Sequence, residues 1–232
     1  MRASDRAYQA LLDEIQSGVL APGAVLGEVE QSARLGVSRT PLREAIGRLV
    51  ADGLVVQASP RMTVVTHIDA DDIRALFALR RALEESAARL AAARVRQAAA
   101  DAAVFAALSA RFADARPERE PDAYYAVIAD FDAALDAALH NDYLAAALRT
   151  VRTHLVRVRR LARDNPQRLA ASAAEHRLIA DALAAGDGDL AASATHVHLH
   201  NALTSILASL ADAESPRAPS PEAASVPHRG AA

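Results

Sequence analysis

A long alanine-rich stretch, from about residue 68 to residue 212, most constrains the fold of this 232-residue chain. Alanine makes up about a quarter of the sequence, and it has the highest helix propensity of the amino acids. Apolar residues recur through the stretch with the period of a helix. The pattern predicts a chain that is mostly helical, with a core of small aliphatic side chains.

The composition excludes several classes of protein. There is no Cys, which excludes a disulfide-stapled domain, a thiol nucleophile and a Cys-ligated zinc site. The first 13 residues are charged and have no apolar run, so a signal peptide is not expected, and no stretch reaches the ~18 apolar residues of a membrane span. A soluble, cytoplasmic protein is therefore expected. All 26 basic residues are Arg and the net charge is −3, so evidence for nucleic-acid binding has to be local.

Residues 1–67 have a different pattern from the rest of the chain. Tyr8, Leu11, Leu12 and Ile15 form one apolar stripe of a first helix. A short second helix spans residues 28–34, and a turn at residues 36–38 leads to a third helix with Ser38 at its N-cap. Residues 54–57 and 62–66 are two strands around a tight turn. Three helices followed by a β-hairpin predict a winged helix-turn-helix.

The polar face of the third helix points to DNA. Arg39 and Arg43 are four residues apart and share a face, beside Ser38 and Thr40 at the helix N-terminus. Helix N-termini favour phosphate, and Arg can pair bidentately with guanine in the major groove. The alternative is an ordinary solvated face, since Asp and Glu balance Arg over residues 1–67 and only the segment 34–48 is locally positive.

Residues 35–46 (LGVSRTPLREAI) and 48–54 (RLVADGL) resemble the DNA-binding signature of the GntR family of bacterial transcription regulators. The upstream residues 18–26 (GVLAPGAVL) are similar to the family's linker between its first two helices. The resemblance implies that Ser38, Arg39, Thr40 and Arg43 contact DNA. The family's wing tip usually carries a Gly that enters the minor groove, whereas this chain departs from the family with Ser59, Pro60 and Arg61 there. Arg61 is the residue expected to reach the DNA backbone or minor groove instead.

A second resemblance covers most of residues 70–210. Residues 77–84 (FALRRALE) and 87–92 (AARLAA), with FDAAL at 131–135 and EHRLI at 175–179, resemble the FadR-type effector domain called FCD. This implies an all-helical bundle of six or seven helices, at about residues 70–97, 100–115, 121–139, 142–163, 166–185 and 188–212. The predicted domains are 1–67, 68–212 and a disordered Pro- and Ser-rich tail at 213–232.

Many FCD domains hold a divalent metal between an Asp, a His four residues later and two further His. The resemblance places the last two on His176 and His198, but the Asp position falls on Ile128 and the first His position on Asp132. Asp132, His176 and His198 are therefore the predicted ligands for Zn, Mn or Ni. The alternative is a polar pocket without metal. By spacing alone, His196 and His200 would share a helix face instead.

The resemblance places Arg80 near the effector, where it would pair with a ligand carboxylate. Glu84, one turn later, is the competing partner. A row of arginines further along the chain is interpreted as a solvated helix face: Arg149, Arg152, Arg157, Arg159, Arg160 and Arg163. The alternative is that these arginines help to draw an acidic metabolite inward.

Two functions follow from these patterns. The first is a transcription regulator that binds a palindromic operator as a homodimer and senses a small carboxylic acid in the helical domain. The second is a metal-dependent hydrolase that would use Asp132, His176 and His198 to activate water. The sequence names no general base for the second, and a hydrolase would not explain residues 1–67.

Overall fold

The computed structural model describes residues 1–59, 62–97, 99–162 and 165–214, which form nine helices and three short strands. In chain order these are α1 (Ala3–Ser17), β1 (Val25–Leu26), α2 (Glu28–Leu35), α3 (Arg39–Ala51), β2 (Val55–Ser59), β3 (Met62–Val65), α4 (Ala70–Val95), α5 (Ala99–Asp114), α6 (Pro121–Leu139), α7 (Asp142–Ala162), α8 (Pro166–Ala184) and α9 (Gly188–Glu214). No described helix has both the length and the apolar character needed to cross a membrane.

The N-terminal elements form the predicted winged helix-turn-helix. Gly36 ends α2 with a φ of 63°, a left-handed conformation that glycine adopts without a steric penalty, and this turn leads into α3. Leu11 of α1 and Leu42 and Leu49 of α3 are fully buried in one cluster, to which the sheet contributes Leu26, Val55 and Val65. The hydrophobic side of α3 is thereby fixed inward, and its opposite side faces solvent.

The sheet has one strand more than the two that the sequence predicts. Its order is β1-β3-β2, and β3 pairs antiparallel with both neighbours. The additional strand, β1, is two residues long and places Val25 opposite Val64. Two residues are too few to show the alternation that identifies a strand, which is why the sequence pattern did not predict it.

The C-terminal part is an all-helical bundle. Helix α4 packs along α9, and α8 packs against both α5 and α9. Small side chains, including Ala88, Ala91, Ala191 and Ala192, are buried in this part, so neighbouring helices can approach closely. In the same core cluster, Phe112 makes edge-to-face contacts with Phe131 and Tyr124, at centroid distances of 5.9 Å and 6.3 Å.

The predicted helices of the bundle are confirmed, with ends displaced by at most two residues. Asp69 begins α4 with a capping box: its side chain accepts from the backbone N–H of Asp72, and the Asp72 side chain accepts from the backbone N–H of Asp69. Helix α9 ends at Glu214, two residues into the predicted tail. Residues 215–232, the rest of that tail, lie outside the described residues.

Helix α7 contacts the winged helix-turn-helix. Arg157 donates to the hydroxyl of Thr66 at 3.0 Å and also to its backbone oxygen. Gln16 in α1 donates to the backbone oxygen of Thr153 at 3.1 Å. The ring of His154 lies against Gly53 and hydrogen bonds to the backbone of Asp52. One helix of the bundle is therefore hydrogen bonded to the first helix, the end of α3 and the end of the hairpin.

Candidate functional site

The first turns of α3 present the polar side chains that the sequence singles out. Ser38 occupies the N-cap position with extended backbone, and its side chain makes no capping hydrogen bond. Ser38, Arg39, Thr40 and Arg43 are all exposed. The predicted N-cap position is thus confirmed, but the Ser38 hydroxyl does not cap a backbone N–H of the helix. The fifth predicted residue of this set, Arg61, lies outside the described residues.

A carboxylate that the sequence did not single out holds the two arginines together. The Glu28 side chain, at the first residue of α2, accepts from Nη2 of Arg39 at 3.1 Å and from Nε of Arg43 at 2.9 Å. These hydrogen bonds from Arg43 and Arg39 lower the pKa of the Glu28 carboxyl. All three side chains are substantially exposed, so the pairs add little to stability. Their effect is to place both guanidinium groups side by side.

Acidic side chains of α1 compensate part of the positive charge that the sequence shows in residues 34–48. Arg34 forms a double hydrogen bond with Glu14 in α1, at 2.5 Å and 2.7 Å. Arg48 lies 3.9 Å over the ring of Tyr8 and pairs with Asp5 at 3.0 Å. Two of the four arginines are therefore paired with α1, and Arg39 and Arg43 are left on the outer face of α3.

The second candidate site is a cavity inside the helical bundle, made of two adjoining chambers of about 30 Å³ and 60 Å³. Both chambers are lined by Arg80, Leu155, Arg159, His176 and His198. The first chamber is also bordered by Glu84, Asp132 and Arg152. Volumes of this size hold a few water molecules or a small ligand.

The two predicted histidines lie next to each other at the boundary of the chambers. Their ring centroids are 4.3 Å apart. Nδ1 of His176 is 2.8 Å from the backbone oxygen of Ser172, and Nδ1 of His198 is 2.8 Å from Glu175. Burial and the neighbouring His198 hold the pKa of His176 well below its ordinary value. Burial also lowers the pKa of His198, although the Glu175 carboxylate opposes this. Both rings are therefore neutral near pH 7, with Nε2 as the unprotonated nitrogen.

Asp132 lies in the same cavity but is already paired. Its carboxylate is 3.2 Å from Nε of Arg152, and Arg152 also donates to both oxygens of Asp136 at 2.8 Å. Burial raises the pKa of Asp132 while the charge of Arg152 lowers it, and the net shift is upward. Ile128, at the family's Asp position, is buried and apolar. Within the described ranges, no three side chains of His, Asp or Glu come together in a group that could hold a metal ion.

Arg80 is paired with Glu84, the competing partner that the sequence suggested. Nε of Arg80 donates to Glu84 at 2.7 Å and Nη2 at 3.3 Å, and the Arg80 side chain is only 4% exposed. Its guanidinium also lies 4.6 Å over the ring of Phe77. Arg80 lines both chambers, so it borders any ligand bound there.

The interpretation of the arginine row in α7 as a solvated face is wrong for three of its members. Arg152 is 17% exposed and paired with two aspartates, and Arg157 is 8% exposed and bonded to Thr66. Arg159 is partly buried and lines both chambers. Arg149 is exposed as expected, and the side chains of Arg160 and Arg163 lie outside the described residues. Arg152 and Arg157 can face inward because oxygen atoms of neighbouring elements accept their hydrogen bonds.

Glu175 is the cavity-supporting residue that the sequence reasoning missed. Its carboxylate accepts from Arg168 at 2.7 Å and 2.6 Å, from His198 and from Asn201 at 2.7 Å. The adjacent pair Glu175-His176 in the EHRLI segment was the available signal, but it does not show that Glu175 contacts the other histidine. His196, which spacing alone would favour, pairs instead with Glu85 at 2.9 Å on the surface.

Comparison with known proteins gives a consistent result. The model of the family described as bacterial regulatory proteins, gntR family, matches residues 3–65, and the FCD domain model matches residues 75–201. An HTH-type transcriptional regulator of Streptomyces ambofaciens is 33% identical over 229 residues, which cover 96% of this chain and 92% of that protein. The HTH-type transcriptional repressor RspR of Escherichia coli (strain K12) is 38% identical over 85 residues, 37% of each chain.

Solved structures extend the similarity to the whole fold. McbR/YncC of E. coli aligns with a TM-score of 0.74 and 20% identity, over 90% of this chain and 99% of that one. A GntR transcriptional regulator from Rhodococcus sp. RHA1 aligns with a TM-score of 0.64 and 26% identity, over 88% and 97% of the two chains. The likeness to McbR/YncC concerns the fold alone.

The Glu175 cluster predicts a pH-dependent contribution to stability. Burial raises the pKa of Glu175, but hydrogen bonds from His198, Arg168 and Asn201 lower it to about 2. A carboxyl whose pKa is depressed on folding stabilises the protein above its unfolded pKa, and this contribution is lost as the pH falls through the folded value. Glu175→Gln is therefore expected to lower the free energy of unfolding at pH 7 by about 1.5–3 kcal/mol.

Urea denaturation at a series of pH values measures this effect. The difference between wild type and Glu175→Gln should shrink as the pH falls from about 4.5 towards 2. Glu118→Gln is the matched control, because Glu118 is exposed and its substitution should change stability by less than about 0.5 kcal/mol. A difference that stays constant from pH 7 to pH 3 would mean that the Glu175 charge is not responsible.

Proposed function

Because the chain belongs to the GntR family of transcription regulators and carries an FCD domain, we propose that it binds a palindromic operator as a homodimer and responds to a small carboxylic acid. The observation that carries the proposal is the pair of exposed arginines, Arg39 and Arg43, at the start of the second helix of the helix-turn-helix. In such motifs this end of the helix enters the major groove. A dimer would place two such helices in successive grooves.

The residues on this face have distinct proposed roles. Arg39 and Arg43 read base edges, since guanidinium groups pair bidentately with guanine. Ser38 and Thr40 anchor phosphates at the helix N-terminus, where backbone N–H groups and the helix dipole favour anions. Glu28 supports this arrangement by holding both arginines on one side of α3 before DNA is bound. Arg61 is a further proposed DNA contact, at the phosphate backbone or in the minor groove.

The cavity in the bundle is the proposed effector site. Its lining contains four arginines, Arg80, Arg152, Arg159 and Arg168, against the two carboxylates of Glu84 and Asp132, so positively charged groups outnumber negatively charged ones. A small carboxylate is the ligand class that such a lining favours. Arg80 is a proposed contact, although a ligand would have to share it with Glu84.

A divalent metal on Asp132, His176 and His198 is a further proposal. The Nδ1 bonds of both histidines to oxygen support it, because metal-bound histidines usually bond in this way through their second nitrogen. The ion pair between Asp132 and Arg152 weakens it, since the carboxylate would have to leave the guanidinium. A bound ion would supply positive charge for a ligand carboxylate.

Helix α7 is the proposed route between the cavity and DNA. Arg152, Leu155 and Arg159 line the cavity, and Thr153, His154 and Arg157 of the same helix contact the winged domain. A ligand that favours one position of α7 would favour one placement of the DNA-binding domain. A ligand with equal affinity for both positions would change nothing. The relatives are regulators rather than enzymes, so the hydrolase alternative is not supported.

Arg43→Ala tests the DNA-binding role. On the DNA upstream of the protein's own gene, we expect a loss of about 1–3 kcal/mol that is confined to one base position in each half-site. Fluorescence anisotropy on wild-type and base-substituted duplexes measures it. Arg74→Ala, an exposed arginine of α4 paired with Asp71, is the control and should bind like the wild type. An equal loss on every sequence would assign Arg43 to phosphate, and a wild type without sequence preference would refute the proposed function.

Arg157→Met tests the role of α7. Removing the hydrogen bonds to Thr66 should loosen the placement of the DNA-binding domain, so the variant should tolerate operators with one base pair added between the half-sites. The wild type should bind these operators about tenfold or more weakly than the natural one. Arg149→Met, on the exposed side of the same helix, should keep the wild-type preference. An Arg157→Met protein with unchanged spacing preference would contradict the proposed route.

The metal proposal is tested by elemental analysis of protein purified without chelators. About one ion of Zn, Mn or Ni per chain is expected if the three side chains bind it, and His198→Ala should abolish that content. His200→Ala is the matched control, because His200 lies on the same helix outside the cavity. A metal content far below one per chain would refute the three-ligand site.

A further inference from the structure

The cavity holds an unusual number of ionisable side chains, and most of them are paired. Arg80 is paired with Glu84, Arg152 with Asp132 and Asp136, and Arg168, which lines the second chamber, with Glu175. Each of these guanidinium groups has a carboxylate within 3.3 Å. Their burial is therefore compensated within the protein.

Arg159 is different from the other arginines of the cavity. Among the described residues, its guanidinium forms no hydrogen bond or ion pair. The guanidinium carbon lies over the ring of Tyr125, 6.0 Å from the ring centroid. Burial lowers the pKa of Arg159, with only partial compensation from the more distant Asp132. A partly buried arginine without a bonded anion carries a desolvation cost. Arg159 lies at the boundary of both chambers, so an anion bound there would supply the missing partner.

The second chamber shows what the rest of the ligand should be. Apart from the groups at the boundary, it is lined by apolar side chains, together with two tyrosines, Ser172 and the paired Arg168. The apolar ones are Phe77, Ile128, Leu169, Ala202 and Ile206. Ile128 stands where the resemblance places a metal-binding Asp, so this chain has an apolar wall where a carboxylate would otherwise be. Together the chambers offer one unpaired cation beside a small apolar space.

We propose that Arg159 is the anion-binding group of the cavity and that its ligand is a small monocarboxylate with a short apolar chain. The carboxylate pairs with Arg159 at the boundary of the chambers, and the chain occupies the space beside Ile128. This deepens the proposed effector function, on which it rests, and it names a residue other than Arg80 for the anion. It does not depend on whether a metal occupies the two histidines.

Acetate, propionate and butyrate are the probes, with butyramide as the neutral analogue of butyrate. Their effect on the melting temperature of the full chain is measured without DNA and at constant ionic strength, on protein treated with a chelator and checked for metal. We expect butyrate to stabilise the wild type more than acetate, because its chain buries more apolar surface, and butyramide to have no effect. Ligands that bind only the folded state raise the melting temperature in this way.

Three variants locate the interaction. Arg159→Met should weaken butyrate binding by about 10- to 100-fold, since a charge-assisted pair is lost, and Arg159→Lys should retain part of it. Arg149→Met, an exposed arginine on the same helix, should bind like the wild type. In the absence of any carboxylate, Arg159→Met should melt about 2–4 °C above the wild type, because an uncompensated charge leaves the interior.

Several outcomes would overturn the proposal. No stabilisation of the wild type by any of the three acids would do so, and so would equal stabilisation by butyrate and butyramide. Arg159→Met protein that is less stable than the wild type, or that fails to fold, would show that Arg159 has a structural partner instead. These measurements use no DNA, so a chain that binds butyrate through Arg159 but shows no preference for its upstream DNA would refute the proposed regulator function and leave the anion site intact.

Discussion

The burial of arginines along α7 is the constraint on which the arrangement of this protein depends. A guanidinium that leaves water is stabilised by an acceptor, because packing does little to offset the cost of an isolated buried charge. Arg152 finds Asp132 and Asp136 within the bundle, whereas Arg157 finds the hydroxyl and backbone oxygen of Thr66 in the winged domain. The first pairing shapes the cavity and the second attaches the DNA-binding domain. Because both lie on one helix, α7 is the proposed path from the cavity to the DNA-binding surface.

The course of the chain could be predicted well from its sequence, and the reason is local. Alanine-rich helices of full length, separated by short breaks, leave little freedom in where an element begins and ends, and the six helices of the bundle lie within two residues of their predicted limits. The same holds for α3, where Ser38 begins the helix and Leu42, Ile46 and Leu49 face inward. Strand β1 was not predicted because it depends on pairing with β3, almost 40 residues later, and not on local sequence.

The charge pairs of both sites could not be predicted in the same way. Glu28 reaches residues 11 and 15 positions later, Arg34 reaches back 20 positions to Glu14, and His198 bonds to a carboxylate 23 positions earlier. Periodicity places such residues on a helix face but does not say which long side chain on another element will meet them. The solvated interpretation of Arg152, Arg157 and Arg159 failed for this reason. Composition counted their charges correctly, but their partners depend on how the helices pack.

Both sites contain arginines paired with carboxylates, exposed to solvent on α3 and buried in the cavity. On α3, one carboxylate holds two arginines in water, where ion pairs are weak and readily exchanged. A phosphate or a guanine edge can therefore take over either arginine at little cost, and the near-neutral charge of residues 1–67 limits attachment to DNA of any sequence. In the cavity, the pairs of Arg80, Arg152 and Arg168 are shielded from water and exchange only at high cost. An arginine left without a partner in those surroundings interacts far more strongly with an arriving anion than one on the surface would, because little water has to be displaced from it. In the proposed function, selectivity on DNA would come from the exposed pairs of Arg39 and Arg43 with Glu28, which exchange easily. The response to a ligand would come from Arg159, which has no bonded partner among the described residues.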